Sequence, residues 1–184
     1  MIRACSLWLK QFGQDRQGLA AIEFALLAPI MILIYFGMTE FSQAYMANRR
    51  ANHVAAIVAD LVAQGEVTSR ADIALTAEIG DLVIAPFSAE PLSTRITSVT
   101  LDGDDKAIID WSRAHGTGLT ALVKGAQFTD LPTGMITEGQ SLIVGESHYV
   151  YSSRLSTVIK QPMVFTRTYY LRPRSVDMIS CTDC

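Results

Sequence analysis

The sequence predicts an α+β protein. A long N-terminal helix, membrane-spanning in its first half, leads into a small head where one further helix packs on an antiparallel sheet. Three observations carry this expectation. From Leu19 to Phe36 the chain is apolar apart from Glu23, close to the roughly 20 residues that cross a bilayer. Apolar residues then recur at three- and four-residue spacing as far as Val62, the period of an amphipathic helix. Beyond Pro86 the texture changes to β-branched segments punctuated by turn residues.

The helix is expected from about Leu19 to Gln64. Ala47, Ala51, Val54, Ala55, Val58, Leu61 and Val62 form one face of its second half, with Asn48, Arg49, Asn52 and Asp60 largely between them. Gly65 is a natural C-terminal stop. Pro29 removes a backbone donor inside the apolar half and is expected to kink it. A second helix is predicted from about Arg70 to Ile84. Ser69 is its N-cap, Asp72 completes a capping-box variant, Leu75, Ile79, Leu82 and Val83 form its apolar face, and Pro86 ends it.

Four strands follow. Arg95 to Leu101 is β-branched, and Asp102-Gly103-Asp104-Asp105 is a hairpin turn. Ala107 to Arg113 pairs back, with Ile109 and Trp111 expected on one face. Leu142 to Tyr151 and Met163 to Leu171 supply the other two strands, while the stretch from Gly116 to Gly139 has no legible pattern.

The chain has 184 residues, room for one membrane segment and one domain of ordinary size. Hydrophobic residues make up 49% and charged residues 18%, a balance that suits an anchored globular protein and not a disordered one. The net charge of -3 and the lack of a dense basic cluster give nucleic acid no foothold. Arg3, Lys10 and Arg16 precede the apolar run against Asp15 alone, so the positive-inside rule places that end in the cytoplasm and the head in the periplasm. The expected organisation is therefore a leader over residues 1–18, a long helix over 19–65 that spans the membrane to about residue 38, and a head over 66–184. An ordinary secretory signal cut near Ser42-Gln43-Ala44 and an uncleaved anchor are the rival readings. The apolar run is longer than a usual signal core and contains Glu23.

Glu23 is the residue that points furthest. A carboxylate within a membrane segment costs roughly 2.5–3.5 kcal/mol near the centre, so it usually has a partner and a task. The plain alternative is a side chain that reaches the interface from one turn in. A glycine followed at the fifth position by a glutamate, opening an apolar helix, is the pattern read by prepilin peptidases. Gly18 and Glu23 match it. Cleavage after Gly18 frees an α-amine on Leu19, which Glu23 of a neighbouring subunit can neutralise. Ala21, Ala25 and Ala28 form a small-residue stripe that permits close helix approach.

The stretch from Gly18 through Glu23-Phe24-Ala25 to Pro29, with Gly37, Glu40-Phe41 and Ala44-Tyr45 beyond it, resembles the TadE/TadG-like minor pilins, or pseudopilins, of tight-adherence (Flp) pilus systems. In outline the likeness extends to Ile96–Leu101, Asp110-Trp111-Ser112 and Tyr169–Arg174. Leu19 departs from the Phe or Met that type IV pilins usually carry after the cleaved glycine. The resemblance implies cleavage between Gly18 and Leu19 by an aspartic prepilin peptidase. It also implies assembly through Glu23 and Phe24, and helix packing around Ala21, Ala25, Ala28 and Pro29. The implied partners are other Tad minor pilins, the major pilin and the inner-membrane assembly platform, and the implied role is pilus initiation or a tip complex serving surface adhesion. A single-pass periplasmic binding module that never enters a filament is the alternative.

No catalytic motif, cofactor loop or metal set is expected. Cys181 and Cys184 are spaced for a redox pair, half a zinc site or a local disulfide. The redox motif lacks its βαβ context and zinc lacks two ligands, so a local disulfide is the leading expectation, with free thiols as the alternative. Cys5 lies in the leader. His53, His115 and His148 are scattered, and Asp102, Asp104 and Asp105 lack the closing glutamate of a calcium loop.

Overall fold

The computed structural model describes residues 17–132 and 134–184. The basic residues of the expected leader, Asp15 and Cys5 lie outside them. Helix α1 (Gln17–Ala63) runs unbroken through Pro29. A short strand β1 (Val67–Thr68) leads to α2 (Arg70–Val83), where the Ser69 hydroxyl accepts the Asp72 amide as the cap. Strands β2 (Leu92–Leu101), β3 (Ala107–His115), β4 (Ser141–Tyr151) and β5 (Met163–Leu171) form one antiparallel sheet in the order β3-β2-β4-β5. Strand β6 (Ser180–Cys181) returns to pair in parallel with β1. The α+β class, the two helices and the four-stranded sheet are those the sequence predicts, with β2 three residues longer at its start and β3 two longer at its end; the short β1–β6 pair is additional to them.

The second half of α1 lies across β4 and β5. Its face of Ala44, Ala47, Ala51, Val54, Val58 and Val62 is buried against Ile96, Trp111, Ile143, Tyr149 and Tyr151. The small residues let the helix come close. A Cβ on Gly145 of β4 would stand 2.5 Å from the Ala55 carbonyl oxygen and 2.7 Å from Ala59 Cβ. Two residues along β4, Ser147 donates its hydroxyl to the Ala51 carbonyl at 2.7 Å. Burying each large apolar side chain in this layer contributes about 1.5–3 kcal/mol. The other face of the sheet has a second core of Val99, Ile109, Leu142 and Val144, closed by Phe128 and Ile136. The stretch without a legible pattern is therefore the cover of this outer face. Beside that core, Arg95 and Glu146 form a two-pronged ion pair at 2.6 and 2.8 Å, largely shielded from water.

Two expectations are overturned. Ile109 and Trp111 do not share a face. Ser98 pairs with Trp111 and Val99 with Ile109, so a bulge at Asp110 breaks the alternation. Trp111 turns to the helix side and Ile109 to the outer core. The bulged Asp110 accepts the hydroxyls of Ser98 and Thr100 at 2.9 and 2.8 Å.

The apolar face assigned to α2 is also the wrong one. Ile73, Thr76, Ala77 and Gly80 are buried, while Leu75, Ile79 and Leu82 are exposed and Val83 is only partly covered. The small residues let α2 lie close against α1, and a Cβ on Gly80 would meet Val54 at 3.1 Å. Close backbone approach decides the packed face here, and side-chain hydrophobicity does not.

Candidate assembly helix and its anchorage

From Leu19 to Met38 the first half of α1 touches little of the head. Leu19, Ile22, Phe24, Leu26, Leu27, Ile30 to Ile34, Tyr35 and Met38 are all more than half exposed. So continuous an apolar surface far exceeds the few hundred Å² that soluble monomers tolerate. A bilayer or neighbouring apolar helices must cover it. By length and composition this helix suffices to cross a membrane.

The expected processing pair, Gly18 and Leu19, lies in the first turn of α1 and is exposed. Gly18 has no other group near its Cβ position. Glu23 and Phe24 stand one turn further on, also exposed, and Glu23 makes no hydrogen bond or ion pair among the described residues. Ala21, Ala25 and Pro29 are exposed and Ala28 is half-buried. These residues share one bare rod, and the head touches none of the groups that the resemblance assigns to assembly.

The rod ends at a residue to which the sequence reading gave no chemical role. Glu40 is 1% exposed. Its carboxylate accepts the backbone amides of Thr157, Val158 and Ile159 at 2.6, 2.9 and 2.6 Å. These donors belong to the loop between β4 and β5, which folds back against α1 and sets Val158 beside Gly37. Three converging amides make an anion-binding nest. The Ile159 amide is the largest cause that holds the Glu40 carboxyl below its ordinary pKa; burial opposes it, and the Thr157 and Val158 amides add to it. Helical rise places Glu40 about 31 Å beyond Leu19, close to the ~30 Å depth of the hydrocarbon core. The head is thus fastened to the helix one membrane thickness from the expected processing point. A lone carboxylate closing an apolar run was the only sequence signal for this contact. The amides that receive it are invisible in side-chain patterns.

At the other end of the head, Cys181 and Cys184 are joined as a disulfide, with Cα atoms 5.5 Å apart. The tail they close is held by Trp111, whose indole donates to the Ile179 carbonyl at 2.8 Å, and by Asp183, which accepts the Arg70 amide at 2.7 Å. Cys181, Asp183 and Cys184 cluster as a metal set would, but the two sulfurs are bonded to each other. His115 pairs with Asp81 at 3.6 Å, and His148 meets Thr166 at 3.2 Å. Asp102 closes its own turn by accepting the Asp104 and Lys106 amides.

A bare apolar N-terminal helix locked into a compact α+β head has the form of a single-pass membrane anchor carrying a folded domain. The family model for TadE-like protein matches residues 18–60, the bare rod together with most of the helix that packs on the sheet. The resemblance read from Gly18 to Tyr45 therefore holds over that segment, and the head lies beyond it. Neither a curated protein nor a solved structure matches the chain.

Proposed function

We propose that this chain is a minor pilin or pseudopilin of a tight-adherence, type IV-like pilus. It acts in pilus assembly, initiation or a tip complex, and through these in surface adhesion. The observation that carries the reading is that the TadE-like segment coincides with an apolar helix left bare by its own head. In this reading the helix sits in the inner membrane, with its N-terminus in the cytoplasm and its head in the periplasm. A prepilin peptidase removes the leader at Gly18. Other Tad minor pilins, the major pilin and the assembly platform then cover the rod.

Glu23 makes no hydrogen bond or ion pair among the described residues, and in this reading assembly supplies its partner, the Leu19 amine of a neighbouring subunit. Charge pairing is strongest in such a low-dielectric setting. Glu23→Gln keeps the shape and removes the charge. Insertion and cleavage persist in this variant, because the cut bond lies at Gly18. Co-purification with pilus partners and surface piliation are lost, and Glu23→Asp falls between. Normal complexes and piliation in Glu23→Gln would reduce the carboxylate to an interfacial bystander.

A further inference from the structure

We propose that the free edge of β5 is a docking edge for an extended, acidic segment of a partner protein, which joins the sheet as a fifth strand beside the exposed flank of α1. The two edges of the sheet are treated differently by the fold. The β3 edge is covered twice. Residues Gly125 to Phe128 bond to Ala107 and Ile109 and bridge Ile108, and the C-terminal tail lies over Trp111 and Arg113. The β5 edge has no such cover. Among the described residues, its only backbone partner is β4. In an antiparallel edge strand, the N–H and C=O groups of alternate residues point outward. Native sheets usually blunt such edges with lysine, proline, bulges or a covering segment. Met163 to Leu171 has no lysine, proline, bulge or cover, and its single charge, Arg167, is the one guarding device it carries.

The charge beside this edge selects the occupant. A cleft of about 820 Å³ lies over α1 and β5, and its lining includes Arg49, Arg50, His53, Arg167 and Tyr169 but no carboxylate. Arg50 donates to the Val83 carbonyl and Arg167 to Asn48, while Arg49 makes no hydrogen bond or ion pair among the described residues. An added strand would set alternate side chains toward α1, alongside Arg167 and within reach of this basic flank. Acidic side chains at those positions match it. A second copy does not. Pairing β5 with β5 would bring two Arg167 side chains and two basic flanks together, and like charges across a strand pair destabilise it. Main-chain bonding supplies affinity in strand addition, and alternate side chains supply selectivity. The proposal concerns the head alone and stands apart from the role given to the bare helix.

The test uses the full chain in detergent micelles and a labelled peptide alternating valine or threonine with glutamate, long enough to span β5. The expected result is saturable binding. It weakens by about tenfold or more with lysine in place of glutamate, with full backbone N-methylation, and with Arg49→Glu. Arg49 is exposed on the helix, so its replacement leaves the fold intact. No binding of the glutamate peptide overturns the proposal. Equal binding of the N-methylated peptide overturns strand addition, and equal binding of the lysine peptide overturns the acidic occupant. Disulfide cross-linking between two copies through Thr168→Cys would make a second copy the occupant, which also overturns it.

Discussion

The Glu40 carboxylate accepts the Ile159 amide at 2.6 Å across 119 residues of sequence. This contact joins the point where the helix leaves its apolar half to a loop between the last two strands of the sheet. It fixes the height of the head above the bare rod. In the proposed reading the helix packs among others while it carries a folded domain, and play at this joint would decouple the head from the rod.

Glu40→Gln should loosen the joint. The amide offers one acceptor oxygen where the carboxylate offered two, and it turns N–H donors toward amides that are themselves donors. Thermal melting of the full chain in micelles should show a lower midpoint for the variant at about pH 7. The pH dependence has a definite sign. Glu40 is held below its ordinary value of 4.5, so its stabilisation is fully present above that pH and fades as pH falls through the depressed native value. The gap between wild type and variant should therefore narrow in acid. An equal gap at all pH values would mean that the charge is not what holds the loop.

Gly145 marks the closest approach of sheet and helix. Gly145→Ala places a methyl against Ala55 and Ala59. Overpacking of this kind costs about 1–3 kcal/mol. Denaturant titration should show that loss, and an unchanged midpoint would mean that α1 shifts freely over β4.

The head should fold without its membrane segment only if α1 is kept from about residue 39. A fragment starting there retains Glu40, Ala44 and Ala47, all buried. One starting at Gly65 exposes the whole helix-side face of the sheet and should aggregate. Equal solubility and equal cooperativity of the two fragments in melting would remove α1 from the core of the head.

Much of this was legible in the sequence, because periodicity reports burial faithfully where side chains do the packing. The long helix and the four strands follow from that, and the Ser69 cap from its spacing to Asp72. Three features escaped for a common reason. The bulge at Asp110, the small-residue face of α2 and the amide nest around Glu40 depend on backbone geometry. An apolar count favours Leu75, Ile79 and Leu82 over Thr76, Ala77 and Gly80, yet only the second set lets two helices meet closely. At the assembly end the sequence was more telling than the structure of one chain. In the proposed reading, Gly18, Glu23 and the alanine stripe find their partners in the peptidase and in neighbouring subunits.

The most direct test of the central claim is the N-terminus of the protein extracted from membranes of cells that carry the pilus system, read by intact mass and N-terminal sequencing. The account predicts Leu19, since Gly18 and Glu23 stand at the processing offset on an exposed first helical turn. Met1 as the sole N-terminus with the peptidase present would contradict it. So would a start just beyond Ala44, the mark of an ordinary secretory signal.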